Sequence, residues 1–296
     1  MTDRTTTPPP RPKSDHFVNR EPWDPYVSER LTAERMWEVD LWMLERTARL
    51  VRDCSAWYDD YAFHKVYHAI FDFCTVDLSA LYLDVLKDRL YTFAPASIGR
   101  RSAQTAIYRI AHALVRLIAP LLSFTAEEVW QHLPRRAGEQ GSVHLELFPA
   151  AEELVTELPQ TVRDRLGNWE RLVAVRQEVL KALELKRKEK FIGNSLEAQI
   201  YLSVDGDLVP LLEEYREWLP MLFIVSQVEL GGERRQGAFA ADLPGLEVSV
   251  ERADGSKCDR CWNFSVHVGE NATYPTVCER CTRALTEIEA SLGVSG

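Results

Sequence analysis

Four cysteines near the end of the chain constrain its folding more than any other feature. They form two pairs, Cys258-Asp-Arg-Cys261 and, after 16 intervening residues, Cys278-Glu-Arg-Cys281. Two Cys-x-x-Cys pairs at this separation fall inside the zinc-ribbon spacing window. Each two-residue gap lets a tight knuckle aim both sulfurs at one point. Two knuckles then complete a tetrahedral four-sulfur site, with Zn–S distances of about 2.3 Å. Four thiolates around one divalent ion leave excess negative charge, and Lys257, Arg260 and Arg280 sit in or beside the knuckles to offset it. Protein ligands take all four positions, so no water is activated and the expected zinc is structural. Two disulfides or a redox Cys-x-x-Cys pair are the alternatives, and the spacing favours zinc over both.

A chain of 296 residues holds two or three domains and buries a substantial core. The N-terminus, MTDRTTTPPPRPK, has no apolar h-region, so no secretory signal is expected. No run of about 18 apolar residues exists, which argues against a membrane span. A cytoplasmic location follows, where paired cysteines mean metal more often than disulfide. The two remaining cysteines, Cys54 and Cys74, lie at apolar positions of helical patterns and read as core. A net charge of −10 argues against an indiscriminate nucleic-acid binder, while leaving room for a local basic face.

The fold class expected is mainly α. Residues 1–28, rich in Thr and Pro, are too poor in apolar side chains to fold and read as a disordered tail. Residues 29–158 read as a helical bundle. Met36, Val39, Met43, Leu50, Cys54 and Trp57 recur at helical steps on one face. A second helix holds Phe63, Val66, Tyr67, Ile70 and Cys74, and a third holds Leu78, Leu81, Tyr82, Val85 and Leu86. A long fourth helix runs through Ile107, Ile110, Leu114 and Leu117 towards Pro120, and a fifth restarts at SFTAEEV with Thr125 and Glu128 in capping-box register. A loop containing Gly138 and Gly141 leads out of the bundle. Residues 159–195 read as a long connecting helix ending in the densest basic cluster, Lys186, Arg187, Lys188 and Lys190, and stopped by Gly193. Cations in a last turn also suit the helix dipole. In residues 196–252, the alternation Ile200, Leu202, Val204 gives a strand. Leu208 to Leu219 gives a helix, and Phe223 to Leu230 and Leu246, Val248, Val250 give two more strands, a small α/β unit. Residues 253–296 form the zinc finger.

Catalytic motifs are missing. The sequence has no Gly-rich phosphate loop, no Gly-x-Ser-x-Gly elbow and no His-Glu-x-x-His. His64 and His68 share a helix face without the Glu that would complete a metal motif, and a plain structural role is favoured. Asp84 and Asp88 share another, flanked by Lys87 and Arg89, and read as solvated surface.

With these elements in place, three stretches resemble the anticodon-binding helical domain of bacterial isoleucyl-tRNA synthetases: FCTVDLSALYLDVLKDRLYTF (Phe73 to Phe93), RRSAQTAIYRI (Arg100 to Ile110) and LLSFTAEEVWQHLP (Leu121 to Pro134). KALELKRKEKFIGNSLEA (Lys181 to Ala198) resembles that family's segment leading to its C-terminal unit. KCDRCWNFSVHVGE (Lys257 to Glu270) and VCERC (Val277 to Cys281) resemble its terminal zinc finger. The resemblance covers about residues 30–285. The chain departs from the family by lacking the His-x-Gly-His and Lys-Met-Ser-Lys-Ser signatures of the catalytic domain, and the inserted editing domain. KRKEK, Lys186 to Lys190, is not the missing loop. No ATP site is therefore expected in this chain, and alone it is expected to be inactive as a ligase. It looks like the C-terminal third of a synthetase, either a fragment or the product of a truncated or split gene.

The resemblance implies that the bundle and finger hold the anticodon arm of isoleucine tRNA, with a separate polypeptide carrying the catalytic domain if the gene is split. Neither membrane nor DNA is an expected partner. RNA loops are read by splaying bases onto aromatic or guanidinium planes while Lys and Arg grip phosphates. Expected phosphate contacts are Arg100, Arg101, Lys186, Arg187, Lys188 and Lys190; expected base contacts are Arg260, Trp262 and Arg280. For Trp262, packing over the zinc knuckle stands as the alternative. A DNA-repair glycosylase closes on a similar finger, but its nucleophilic Pro followed by Glu is replaced here by Thr2 and Asp3. A free-standing zinc protein that binds tRNA or other proteins as a regulator is the remaining alternative.

Overall fold

The structure is a computed structural model that describes residues 25, 31–134, 140–155, 158, 160–231, 233 and 235–291. The expected tail, apart from Pro25, and the expected loop residue Gly138 lie outside the described residues.

Helix α1 (Glu38–Asp59) is the axis of the bundle. A one-sided helix is the sequence expectation, yet Val39, Asp40, Leu41, Trp42, Met43 and Leu44 are all buried in succession. Over this first part the helix must be covered on every side, while further along Arg49, Arg52 and Asp53 stay exposed and the helix is one-sided as expected. Here α2 (Phe63–Asp72), α4 (Ile98–Ile118), α6 (Glu152–Val155) and α7 (Gln160–Lys188) all pack on it. The second and third helices expected from sequence are one rod. Helix α2 passes into a π-helical segment (Phe73–Tyr82) and on into α3 (Leu83–Thr92). No Gly or Pro interrupts residues 63–92, so nothing forces a break. The widened turns absorb the change of face instead.

Burial of Asp40 is made tolerable by complete pairing. Arg89 donates to both of its oxygens, at 2.7 and 3.0 Å, Tyr82 donates at 2.7 Å, and Ser102 also donates. Arg89 donates further to Gly99 O at 3.2 Å and lies 4.5 Å from the Trp37 ring centroid. Burial pushes the Tyr82 hydroxyl well above its ordinary value, and Asp40 pushes it further. This network ties α1, α3 and α4 together and fixes the rotation of α3. Gly99 is needed beside it, since a Cβ there would lie 2.5 Å from Trp37.

Two helix ends differ from the sequence reading. Helix α5 (Ser123–His132) begins two residues before Thr125, and its N-cap Leu122 makes no side-chain cap. Ser123 instead donates to Ala119 O at 3.0 Å. Helix α7 ends at Lys188, before Gly193. Lys190 takes φ 58°, and Phe191 N donates to Lys186 O at 2.9 Å, a Schellman closure with lysine in the left-handed position.

The sheet is ordered β2-β1-β4-β3. Strand β1 (Ala198–Val204) runs parallel to β2 (Gln227–Gly231) and antiparallel to β4 (Leu246–Arg252), with Ile200 opposite Val250 and Leu202 opposite Val248. Strand β3 (Phe239–Ala240) pairs with β4. Helices α8 (Leu208–Glu214) and α9 (Leu219–Phe223) replace the single expected helix, and Phe223 belongs to α9 rather than to a strand. One apolar core runs from Leu31 through α7 to Val250. The finger closes the chain with the β5–β6 hairpin (Ser256–Lys257, Phe264–Ser265) and α10 (Glu279–Ser291). Among the described residues no helix is long and apolar enough to cross a membrane.

Candidate metal centre and nucleic-acid interface

Cys258, Cys261, Cys278 and Cys281 meet with all four sulfurs within 4.8 Å of one another, and all four side chains are buried. The Cys261 and Cys278 sulfurs are 3.7 Å apart, far beyond a disulfide bond. A tetrahedron with Zn–S bonds of about 2.3 Å has edges of about 3.8 Å, so the cluster fits such an ion. The knuckles are built by backbone. Trp262 N donates to Cys258 O at 2.9 Å, Cys258 N to Asn263 O at 2.8 Å and Cys278 N to the Cys258 sulfur at 3.3 Å. Hydrogen bonding among the four thiols lowers Cys258 and Cys261 and raises Cys278 and Cys281. Thiolates this close repel one another, and a divalent cation removes that repulsion.

The finger lies against the end of α3, where three arginines from separate parts of the chain converge. Arg260 donates to Thr92 O and has Nη1 3.8 Å from the Cys281 sulfur. Arg100 donates to Phe93 O at 3.2 Å. Arg280 donates through both Nη atoms to the Asp88 carboxylate, with Nη2 at 2.9 Å, and its guanidinium lies 5.6 Å from the Phe93 ring centroid. The last carbonyls of a helix have no intrahelical partner and carry the negative end of its dipole, which suits guanidinium donors. Burial, with repulsion from Arg101 and Arg260, lowers Arg100. Burial also works against the charge on Arg280, but Asp88 more than offsets it and the group is raised. Asp88, read from sequence as solvated surface, is thus the bundle's anchor for the finger.

Between the finger, α3 and the segment after α9 lies a cleft of ≈ 940 Å³. Its wall carries Tyr91, Met221, Ile224, Trp262 and Val266 together with the acids Asp84, Glu217 and Glu279, and Lys87, also in the lining, pairs with Asp84 at 2.8 Å. Trp262 is 60 % exposed, so packing over the knuckle does not hide it. Its φ of 66° is rare for a bulky residue and is imposed by the tight turn of the first knuckle. That turn swings the ring outward, with Lys257 Nζ 5.5 Å from its centroid. Tyr91 is 73 % exposed on the facing helix.

The expected phosphate contacts are less uniform. Lys188 and Lys190 are exposed at the end of α7. Lys186 pairs with Glu189 at 2.8 Å, and Arg187 with Glu184 at 3.0 Å and Ser195 at 2.9 Å. Arg101 donates to Gln104 at 3.3 Å. The structure adds Arg252, whose guanidinium lies 5.5 Å from the Phe191 ring centroid, the ring that Lys186 also approaches at 5.8 Å. Nothing in the sequence places this strand residue beside the helix end, because only the fold brings them together. Lys257 stands in the sequence only as a counter-charge to the thiolates and Lys87 only as part of a solvated face, and Tyr91 is not singled out; all three are exposed beside the docked finger.

An anticodon-binding domain of tRNA ligase is matched over residues 40–202, more than half of the chain. The chain belongs to that family. A second family, the zinc finger found in FPG and IleRS, matches residues 255–284 and so contains all four cysteines. The isoleucine–tRNA ligase of Syntrophotalea carbinolica is 47 % identical over 257 residues, covering 86 % of this chain and 27 % of its own length. That of Moorella thermoacetica is 43 % identical over 278 residues, covering 92 % and 29 %. That of Thermotoga petrophila is 40 % identical over 268 residues, covering 90 % and 28 %. The chain therefore spans just over a quarter of the length of the curated relatives it matches, in their C-terminal portion.

Proposed function

We propose that this anticodon-binding-domain member holds the anticodon arm of isoleucine tRNA as the non-catalytic part of an isoleucyl-tRNA synthetase, in the cytoplasm. One structural zinc is held by Cys258, Cys261, Cys278 and Cys281. The observation that carries this reading is the cleft beside the finger, where Trp262 and Tyr91 stand exposed with Lys257 and Lys87 nearby. Exposed rings interleaved with lysines are what a splayed RNA loop needs: a face for each base and a cation for each phosphate. In this reading Trp262 stacks a base. Lys186, Arg187, Lys188 and Lys190 attract the backbone, together with Arg101. Arg260, Arg280 and Arg100 are already occupied by the bundle, and they act through Trp262 by fixing where the finger sits.

The catalytic part of the synthetase, joined in the same chain or supplied as another polypeptide, is the protein partner that this reading requires. The test is a salt titration of tRNA binding. Lys186→Ala/Arg187→Ala/Lys188→Ala should weaken all tRNAs alike and flatten the salt slope, by up to about one unit per lost contact. Trp262→Ala should instead reduce the preference for isoleucine tRNA, by about 1–3 kcal/mol if a base stacks there. Equal affinity of the wild-type chain for isoleucine tRNA and an unrelated tRNA across the titration would overturn anticodon reading.

A further inference from the structure

Two residues of the cleft wall hold a backbone conformation that their side chains disfavour. Among the described residues four non-glycine positions have positive φ, and two of them, Ile224 (φ 57°, ψ 52°) and Trp262 (φ 66°), line this one cleft. In the left-handed region Cβ crowds the following carbonyl oxygen, and a β-branched or bulky residue there is an outlier. Ile224 sits in the turn that closes α9. Its N donates to Met221 O at 3.3 Å, and Val225 N donates to Pro220 O at 3.0 Å, a closure that ordinarily takes glycine. Residues held in this way persist only where their surroundings fix them, and they gather at ligand clamps.

One joint sets the two residues against each other. Phe264 N donates to Ser226 Oγ at 2.7 Å, and Ser226 is pinned in turn by its N donating to Ala198 O at 3.2 Å. Ile224 and Trp262 each stand two residues before one end of that bond, so both are anchored to it and border the same space. Ile224 packs partly on the core, while the Trp262 ring stands open. The charge of the lining selects what enters between them. Lys87 and Ser265 donate to Asp84 and Glu279, at 2.8 and 2.9 Å, and Glu217 is an exposed acid of the lining just ahead of α9. Carboxylates repel phosphate and accept hydrogen bonds from the amino groups of bases.

We propose that Ile224 is the second wall of a base clamp. One nucleobase lies between the Trp262 ring and the Ile224 side chain, its amino-bearing edge meets Glu217, and the RNA backbone stays outside the acidic lining. The base is therefore of the amino-bearing class, cytosine rather than uracil among pyrimidines. This rests on the reading of the cleft as an RNA site.

The experiment measures melting temperature and affinity of the full chain for isoleucine tRNA, and for oligocytidylate and oligouridylate of equal length. Ile224→Gly should weaken tRNA binding by about fivefold or more, with a melting temperature equal to or above the wild type, because glycine takes the left-handed conformation freely. Ile224→Asn, a residue type that also tolerates it, should behave alike. Trp262→Ala/Ile224→Gly should lose less than the product of the single losses, since one base uses both walls. The wild type should prefer oligocytidylate, and Glu217→Ala should abolish that preference. Losses that multiply, or equal binding of the two oligonucleotides by the wild type, would overturn the clamp. So would glycine and asparagine variants that lose tRNA only in step with a lowered melting temperature, as a packing residue does. If Trp262→Ala loses the preference for isoleucine tRNA while Ile224→Gly binds as the wild type, anticodon reading stands and the clamp alone fails. A wild type that binds no tRNA removes both.

Discussion

Removing the Asp88 carboxylate should release the finger from the bundle without emptying the metal site. Asp88 and Arg280 are joined by two hydrogen bonds, and their side chains are 30 % and 32 % exposed. Exposed pairs contribute about 0.2–1 kcal/mol, and breaking a fully buried pair costs about 3–5 kcal/mol. A pair one-third exposed lies between, and solvent screening keeps it nearer the lower range. We take about 1–2 kcal/mol for Asp88→Ala, a shift of about 5–30-fold in the ratio of docked to released finger. Arg280→Ala should cost about 0.5–1 kcal/mol more, because it also removes the guanidinium from the Phe93 ring.

Hydrogen exchange read at residues 88–93 and 256–285 measures the docked population, with zinc content determined on the same samples. The double variant decides the matter. If the pair is the link, Asp88→Ala/Arg280→Ala should be little worse than Arg280→Ala alone, and isoleucine tRNA affinity should fall in step with docking. Effects that add to within about 0.3–0.5 kcal/mol would show that the two residues do not act together. Loss of zinc from Asp88→Ala would refute the separation between holding the ion and holding the finger.

Elemental analysis should give one zinc per chain, and Cys261→Ser should lose it along with the protection of residues 256–285 from exchange, because so small a core depends on its metal. Asp40→Ala should destabilise the bundle by about 3–5 kcal/mol in chemical denaturation, since it strands the buried Arg89 charge. Glu153 is lowered: burial alone would raise it, but hydrogen bonds from Arg116 and from Ala150 N outweigh that. A carboxyl held below its unfolded value contributes stability at neutral pH and loses it as pH falls through the folded value. Thermal melts should therefore show a shallower loss of stability below about pH 4.5 for Glu153→Gln than for the wild type.

The parts of the fold legible in the sequence were those set by local pattern. The cysteine spacing named all four sulfurs that meet, and the alternation in Ile200, Leu202 and Val204 marked the central strand. What stayed hidden depended on distant partners. The step-three-and-four pattern of α1 showed one apolar face, but Leu41, Trp42 and Leu44 are buried by α4, α6 and α7, which no window on α1 contains. Rod continuity through residues 73–82 depended on the absence of a breaker, a weaker signal than the presence of one. The closure of α7 by Lys190 replaced an expected glycine, because a Schellman turn accepts a lysine when the hydrogen bond to Lys186 O is made.

The arginines show why charge type alone does not tell which guanidinium groups the fold itself engages. In sequence, Arg260 and Arg280 sit in the knuckles beside Trp262 and look equally free to meet RNA. In the fold, the open end of α3 offers unpaired carbonyls and one carboxylate at the same place, and a guanidinium satisfies such acceptors better than a lysine can. Those arginines are therefore drawn inward, and the residues left at the surface are Trp262, Tyr91, Lys87 and Lys257. Some acids are paired within the fold, as in Asp40–Arg89 and Glu153–Arg116, while Asp84, Glu217 and Glu279 line the cleft itself. Lys188 and Lys190 stay exposed at the end of α7, near Arg252. In the proposed reading, binding through so few cations should be weak and only shallowly salt-dependent, and the bases held against the finger are assigned the discrimination among tRNAs because phosphates carry no sequence information.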